Sequence, residues 1–112
     1  MEEITTEEAL RRIAAGSRLY DVREQGEWDD VHAPQATLVP MSELSERWTE
    51  IQPTDEPAIT VCHSGMRSAR VVAALEQSGV PAVNLAGGMV AWEAAGAPVE
   101  RADAQRERGH EH

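Results

Sequence analysis

Apolar positions follow two rhythms along the chain. Four short runs, 19–22, 37–39, 59–61 and 83–85, are bounded by breakers or polar residues and are too short for helices, so they predict strands. Stretches with helical spacing alternate with them. Thr5-x-x-Glu8 fits a capping box, with Ala9, Leu10, Ile13 and Ala14 following on one face and Gly16 as the stop. Ser42 is placed to cap a helix carrying Leu44, Trp48 and Ile51. The stretch 67–78 presents Val71, Val72 and Leu75, stops at Gly79, and has Pro81 just beyond. The stretch 88–95 carries Met89 and Trp92 and stops at Gly96, with Pro98 beyond. Alternation of strand and helix without a hairpin signal predicts an α/β fold, a small parallel sheet covered by helices. Residues 52–57 read as a surface loop. Residues 1–100 read as one domain, and 101–112 as a polar tail, either a frayed helix or disorder.

Composition narrows the function. The chain has 112 residues, 41% of them apolar, enough for one compact core. It has no Phe and four aromatics in all, which argues against base-stacking platforms. Twenty acids oppose ten bases, all arginine, for a net charge of −10. That balance moves nucleic acid and anionic membranes out of the front rank, since both need a basic face. No apolar run approaches the roughly 20 residues of a membrane span. The opening Met1-Glu2-Glu3-Ile4 lacks the order of a signal peptide, and a single cysteine excludes an internal disulfide, so a reducing cytoplasm is expected. His110-Glu111-His112 is too weak a donor set for a metal, and no metal or cofactor is expected.

The charge is uneven. Residues 1–57 carry fourteen acids and five arginines; residues 58–99 carry two acids and two arginines, Arg67 and Arg70. The only cysteine lies in that neutral stretch, which is either the buried half or a place that receives an anion. Three predicted strand ends are unusual: Asp21-Val22-Arg23, Cys62-His63-Ser64-Gly65-Met66-Arg67-Ser68, and Ala86-Gly87-Gly88. In an open parallel sheet these share one edge, where ligands bind. Cys62 then follows a strand directly, on a short loop that opens a helix. A thiol must ionise to act as a nucleophile. Bringing one from about 8.5 to below 7 takes roughly 2 kcal/mol. A helix N-terminus gives ~0.3–1 kcal/mol. The rest must come from loop N–H groups aimed at the sulfur, from Arg67, or from a charged His63. Gly65 lets such a loop turn its N–H groups inward.

These residues carry a resemblance. Asp21-Val22-Arg23-Glu24, then His32 and Pro34, then Cys62-x-x-Gly65-x-Arg67-Ser68, then Leu85-Ala86-Gly87-Gly88-x-x-x-Trp92-x-x-x-Gly96-x-Pro98-Val99 together resemble a single-domain rhodanese, a sulfurtransferase family. The resemblance implies about five mostly parallel strands with helices on both faces. It implies a ping-pong cycle in which Cys62 takes a sulfane sulfur from a small anionic donor such as thiosulfate, becomes a persulfide, and yields the sulfur to cyanide or a thiol, possible acceptors including thioredoxin. It makes His63, Ser64, Gly65, Met66 and Arg67 the substrate cradle, Arg67 adding positive charge. Asp21, Arg23, His32, Gly87 and Gly88 support it. Asp21 is expected to brace an arginine or a loop, His32 to be a structural hydrogen-bonder or to face the site, and Trp92 to belong to the core.

One segment departs from the family. A pattern resembling Gly-His-Ile-Pro-Gly-Ala is replaced by Val31-His32-Ala33-Pro34-Gln35-Ala36, and neither Val nor Gln adopts positive φ cheaply. Two other readings compete. A phosphatase or arsenate reductase on the same fold resembles Cys-x5-Arg, whereas this loop is Cys-x4-Arg, a tighter cup better suited to a persulfide sulfur. A sulfur carrier or docking module for a dedicated partner is the non-enzymatic alternative, with the acidic half as its docking face.

Overall fold

The computed structural model describes residues 2–102. The rest of the expected tail, with His110 and His112, lies outside the described residues. Five strands form one sheet: β1 (Glu3–Ile4), β2 (Leu19–Asp21), β4 (Ala36–Leu38), β5 (Ala58–Val61) and β6 (Ala82–Leu85). Their order is β1-β6-β5-β2-β4, and every pairing is parallel. A separate antiparallel pair joins β3 (Val31–His32) to β7 (Glu100–Arg101). The helices are α1 (Thr6–Ala14), α2 (Gln25–Asp30), α3 (Leu44–Arg47), α4 (Met66–Gln77) and α5 (Gly88–Ala94). No helix among the described residues is long and apolar enough to cross a membrane.

The sheet is buried on both faces, which is why its strands read as unbroken apolar runs. Side chains still alternate. Leu19, Ile59, Val61, Val83 and Leu85 pack with Ala9 of α1 and with Met89 and Trp92 of α5. Tyr20, Val22, Ala58, Cys62 and Ala82 pack on the other face with Val71, Val72 and Leu75 of α4. This period of two places Cys62 under α4 and sends Thr60 and Asn84, both fully buried, to the same side. Trp92 is a core residue, its indole N–H donating to the Pro98 carbonyl at 2.8 Å.

The structure departs from the sequence reading in four places. The strand β1 has only two residues, too few for any periodicity. The helix α2 has the sequence Gln-Gly-Glu-Trp-Asp-Asp and no apolar stripe to announce it. The helix expected after Ser42 is broken into a 3-10 turn at Met41–Glu43, the short α3, and a 3-10 turn at Trp48–Glu50. Ser42 caps nothing there: its N–H and O–H both donate to the Glu24 carboxylate, at 3.1 and 2.5 Å, so a contact across the chain replaces the local cap. Finally Arg101, read as the first tail residue, pairs with Val31.

The departing loop needs no glycine. Val31 is extended at φ −158° and lies in β3. The Ala36 N–H closes a turn onto the Ala33 carbonyl at 3.1 Å, and no described residue other than glycine has positive φ.

Candidate active site

β5 ends at Val61, and Cys62 begins the loop that runs into α4. The loop is fastened to the start of α5 from the far side. Met89 N–H donates to the Cys62 carbonyl at 2.8 Å, and Val90 N–H donates to the His63 carbonyl at 3.1 Å. These are N–H groups that a helix start otherwise leaves without partners. The contact is close enough to demand glycine at Gly88, whose φ is +55°; a Cβ there would stand 2.3 Å from the Cys62 carbonyl oxygen.

The loop then turns inward on the sulfur. Gly65 has φ +103°, and its N–H donates to Cys62 Sγ at 3.1 Å. The Ser68 hydroxyl lies 3.3 Å from the same sulfur. Burial pushes the Cys62 thiol up, but the Ser68 hydroxyl and the backbone N–H groups of Ser68, Gly65 and Arg67 outweigh it and hold the thiol below its ordinary value. The sulfur is therefore buried, primed toward the thiolate, and surrounded by donors.

Asn84 of β6 sets the floor of this arrangement. Its amide nitrogen donates to the Gly65 carbonyl at 2.9 Å and to Glu3 Oε2 at 2.9 Å. Both partners only accept, so the orientation of the amide is fixed. Asn84 Oδ1 must then accept, and Ser68 Oγ stands 2.5 Å from it. Sequence reasoning passed over Asn84 and Glu3. A polar residue in the middle of an apolar strand was the signal for Asn84.

The positive charge of Arg67 is matched by a neighbouring acid. Arg67 donates through both terminal nitrogens to the Glu27 carboxylate, at 2.7 and 2.8 Å. The Arg67 guanidinium holds the Glu27 carboxyl down to about 2, and Glu27 raises the Arg67 value in return. The sequence left the orientation of Arg67 open, and the structure places it in a bidentate pair with Glu27. Nothing in the sequence distinguished Glu27 from the other acids of its half.

Asp21 and Arg23 form a second pair, fully enclosed. Arg23 Nε and Nη2 donate to Asp21 at 3.0 and 2.8 Å, and Nη2 also donates to the Val31 carbonyl at 2.7 Å. The pair ties the end of β2 to β3. His32 is held as a structural hydrogen-bonder: Nδ1 donates to the Trp28 carbonyl at 2.8 Å, Nε2 is 3.3 Å from Glu100, and the ring stacks on Trp28 at 3.8 Å between centroids. His63 and Ser64 are exposed on the loop, and Met66 is exposed at the first position of α4. Gly87 is left-handed at φ +75° and precedes α5.

The chain has relatives with this architecture. A sulfurtransferase of Allochromatium vinosum is 35% identical over 102 residues, covering 88% of this chain and 94% of that protein. The crystal structure of a rhodanese-related protein from Thermoplasma volcanium superposes with a TM-score of 0.81 at 31% identity, covering 89% of this chain and 98% of that one. An adenylyltransferase and sulfurtransferase of Yarrowia lipolytica is 32% identical over 90 residues, 80% of this chain but 23% of that longer protein. The rhodanese-like domain family matches residues 5–95, and the chain belongs to it.

Proposed function

We propose that the protein is a sulfurtransferase that carries sulfane sulfur on Cys62. The observation that carries the reading is the buried Cys62 sulfur facing the Gly65 N–H and the Ser68 hydroxyl at the carboxyl end of a central strand. In the first half-reaction the Cys62 thiolate attacks the outer sulfur of a donor. With thiosulfate, the sulfur–sulfur bond breaks, sulfite leaves with its electron pair, and Cys62–S–S⁻ remains. In the second half-reaction cyanide or a thiolate attacks the terminal sulfur and the Cys62 thiolate departs. Neither half needs a metal, a redox cofactor or a second cysteine. The inward N–H groups supply what the chemistry asks for, fixed donors around a sulfur that is anionic at both ends of the cycle. A reducing compartment such as the cytoplasm keeps the lone cysteine available.

A second reading, a carrier that hands its sulfur to a dedicated protein, draws on Met66 and Val90. Both are apolar and exposed, 72% and 52%, and both adjoin the cysteine loop. The test is thiocyanate formation from a sulfur donor and cyanide by the wild type and by Cys62→Ser, followed by the same donor with reduced thioredoxin as acceptor. Cys62-dependent turnover with small acceptors supports the enzyme; loading without turnover until a protein acceptor is added supports the carrier.

A further inference from the structure

Among the described residues, little free positive charge stands at the cysteine loop. Arg67, the arginine of the loop motif itself, spends both terminal nitrogens on Glu27. Arg23 is enclosed with Asp21. Behind the loop Glu3 adds a carboxylate, joined to the sulfur through Asn84 and Ser68. Arg70, exposed a turn further along α4, is the remaining arginine of this stretch. A thiolate at Cys62 that meets a dianionic donor brings three negative charges together where the paired cations are already matched. A donor without charge on the sulfur being transferred meets no such opposition. The rim favours it too, since exposed Met66 and Val90 flank the loop with apolar surface suited to a carbon chain.

We propose that Glu27 is a positioning residue that acts through Arg67 to set donor choice, so that the site prefers alkyl persulfides to the dianion thiosulfate. This rests on the sulfurtransferase reading above. The step is balanced: the Cys62 thiolate attacks the outer sulfur of R–S–SH, the sulfur–sulfur bond breaks, R–S⁻ leaves with the electron pair, and Cys62 retains S–SH. Unlike thiosulfate, this donor brings no dianion into the cup and releases none.

The experiment measures kcat/KM for thiosulfate and for 2-hydroxyethyl persulfide, whose carbon chain is uncharged, with the wild type, Glu27→Gln and Glu27→Asp. The wild type is expected to favour the persulfide by about 100-fold or more. Glu27→Gln frees the Arg67 charge and is expected to raise kcat/KM for thiosulfate about tenfold, chiefly through KM, the scale of one unit charge near a dianion in a half-exposed site. The value for the persulfide is expected to stay within about twofold. Glu27→Asp, which keeps the charge, is expected to keep the wild-type ratio. A purely structural role would lower both donors together and leave the ratio unmoved, and that result overturns the proposal. So does a wild type that prefers thiosulfate. Failure of both donors to place sulfur on Cys62 overturns the sulfurtransferase reading itself, a distinguishable outcome.

Discussion

The Ser68 hydroxyl oxygen stands 3.3 Å from Cys62 Sγ, and the one proton it carries is also claimed by Asn84 Oδ1 at 2.5 Å. The two claims belong to different states of the sulfur. While Cys62 is a thiol, its S–H donates to Ser68 Oγ and Ser68 donates to Asn84. When Cys62 is a thiolate, rotation about the Ser68 Cβ–Oγ bond turns the same proton to the sulfur. As the hydroxyl turns, Ser68 Oγ and Asn84 Oδ1, 2.5 Å apart while the proton lies between them, draw apart. Ser68→Ala removes this donor, and a hydrogen bond to a charged group is worth roughly 1.5–3 kcal/mol. Alkylation of Cys62 by iodoacetamide near neutral pH is expected to slow by about tenfold or more. An unchanged rate would show that the backbone N–H groups alone hold the thiolate.

Gly88 links the loop to α5 by closeness rather than by a side chain. A methyl group there would press on the Cys62 and His63 carbonyls, at 2.3 and 2.6 Å, from a backbone at φ +55°. Gly88→Ala is expected to shift those carbonyls, loosen their bonds to Met89 and Val90, and depress sulfur transfer by about 100-fold while costing about 1–3 kcal/mol of stability. Thiocyanate assays beside urea unfolding separate the two effects. Full activity in this variant would mean that the loop tolerates displacement from α5.

Asp21 and Arg23 carry stability. Both are buried, at 0% and 3% exposure, and Arg23 also holds the Val31 carbonyl. Asp21→Asn keeps the shape but leaves the guanidinium without a counter-charge, a loss of about 3–5 kcal/mol. Urea unfolding measures it, and a cost below about 1 kcal/mol would show that Arg23 finds another partner or water.

The Glu27–Arg67 pair predicts a pH dependence. The Glu27 carboxyl falls from an ordinary 4.5 to about 2 in the folded protein. The folded value is depressed, so the pair contributes its full stability above about pH 4.5 and loses it progressively as pH falls toward 2. Both side chains are more than a third exposed, so the contribution is about 1 kcal/mol or less. The difference in unfolding free energy between wild type and Glu27→Gln is expected to shrink across that window. A difference that stays constant from neutral pH down to 2 would contradict the assignment.

Much of this architecture was legible in the sequence because burial on both faces writes itself as unbroken apolar strands. The runs around Tyr20, Thr60 and Val83, the Gly79 and Gly96 stops, and the position of Cys62 after a strand all follow from local rules. What was not legible depends on contacts between distant segments. Glu27 meets Arg67 across forty positions, Ser42 meets Glu24 across eighteen, and Asn84 meets Glu3 across eighty-one. None of these partners has a spacing that marks it. The helix α2 was missed for the same reason: its residues answer to Arg67 and Trp28–His32 stacking, and no apolar stripe announces them. The departure at Val31 raised a question about backbone strain that the extended β3 answers.

The most direct test of the account is the intact mass of the protein after brief exposure to thiosulfate or to glutathione persulfide, with Cys62→Ser as control. The account predicts the gain of one sulfur atom on the wild type alone, removed by cyanide with thiocyanate released. A reduced, folded wild type that gains no sulfur from either donor, or a Cys62→Ser variant that gains as much, would contradict it.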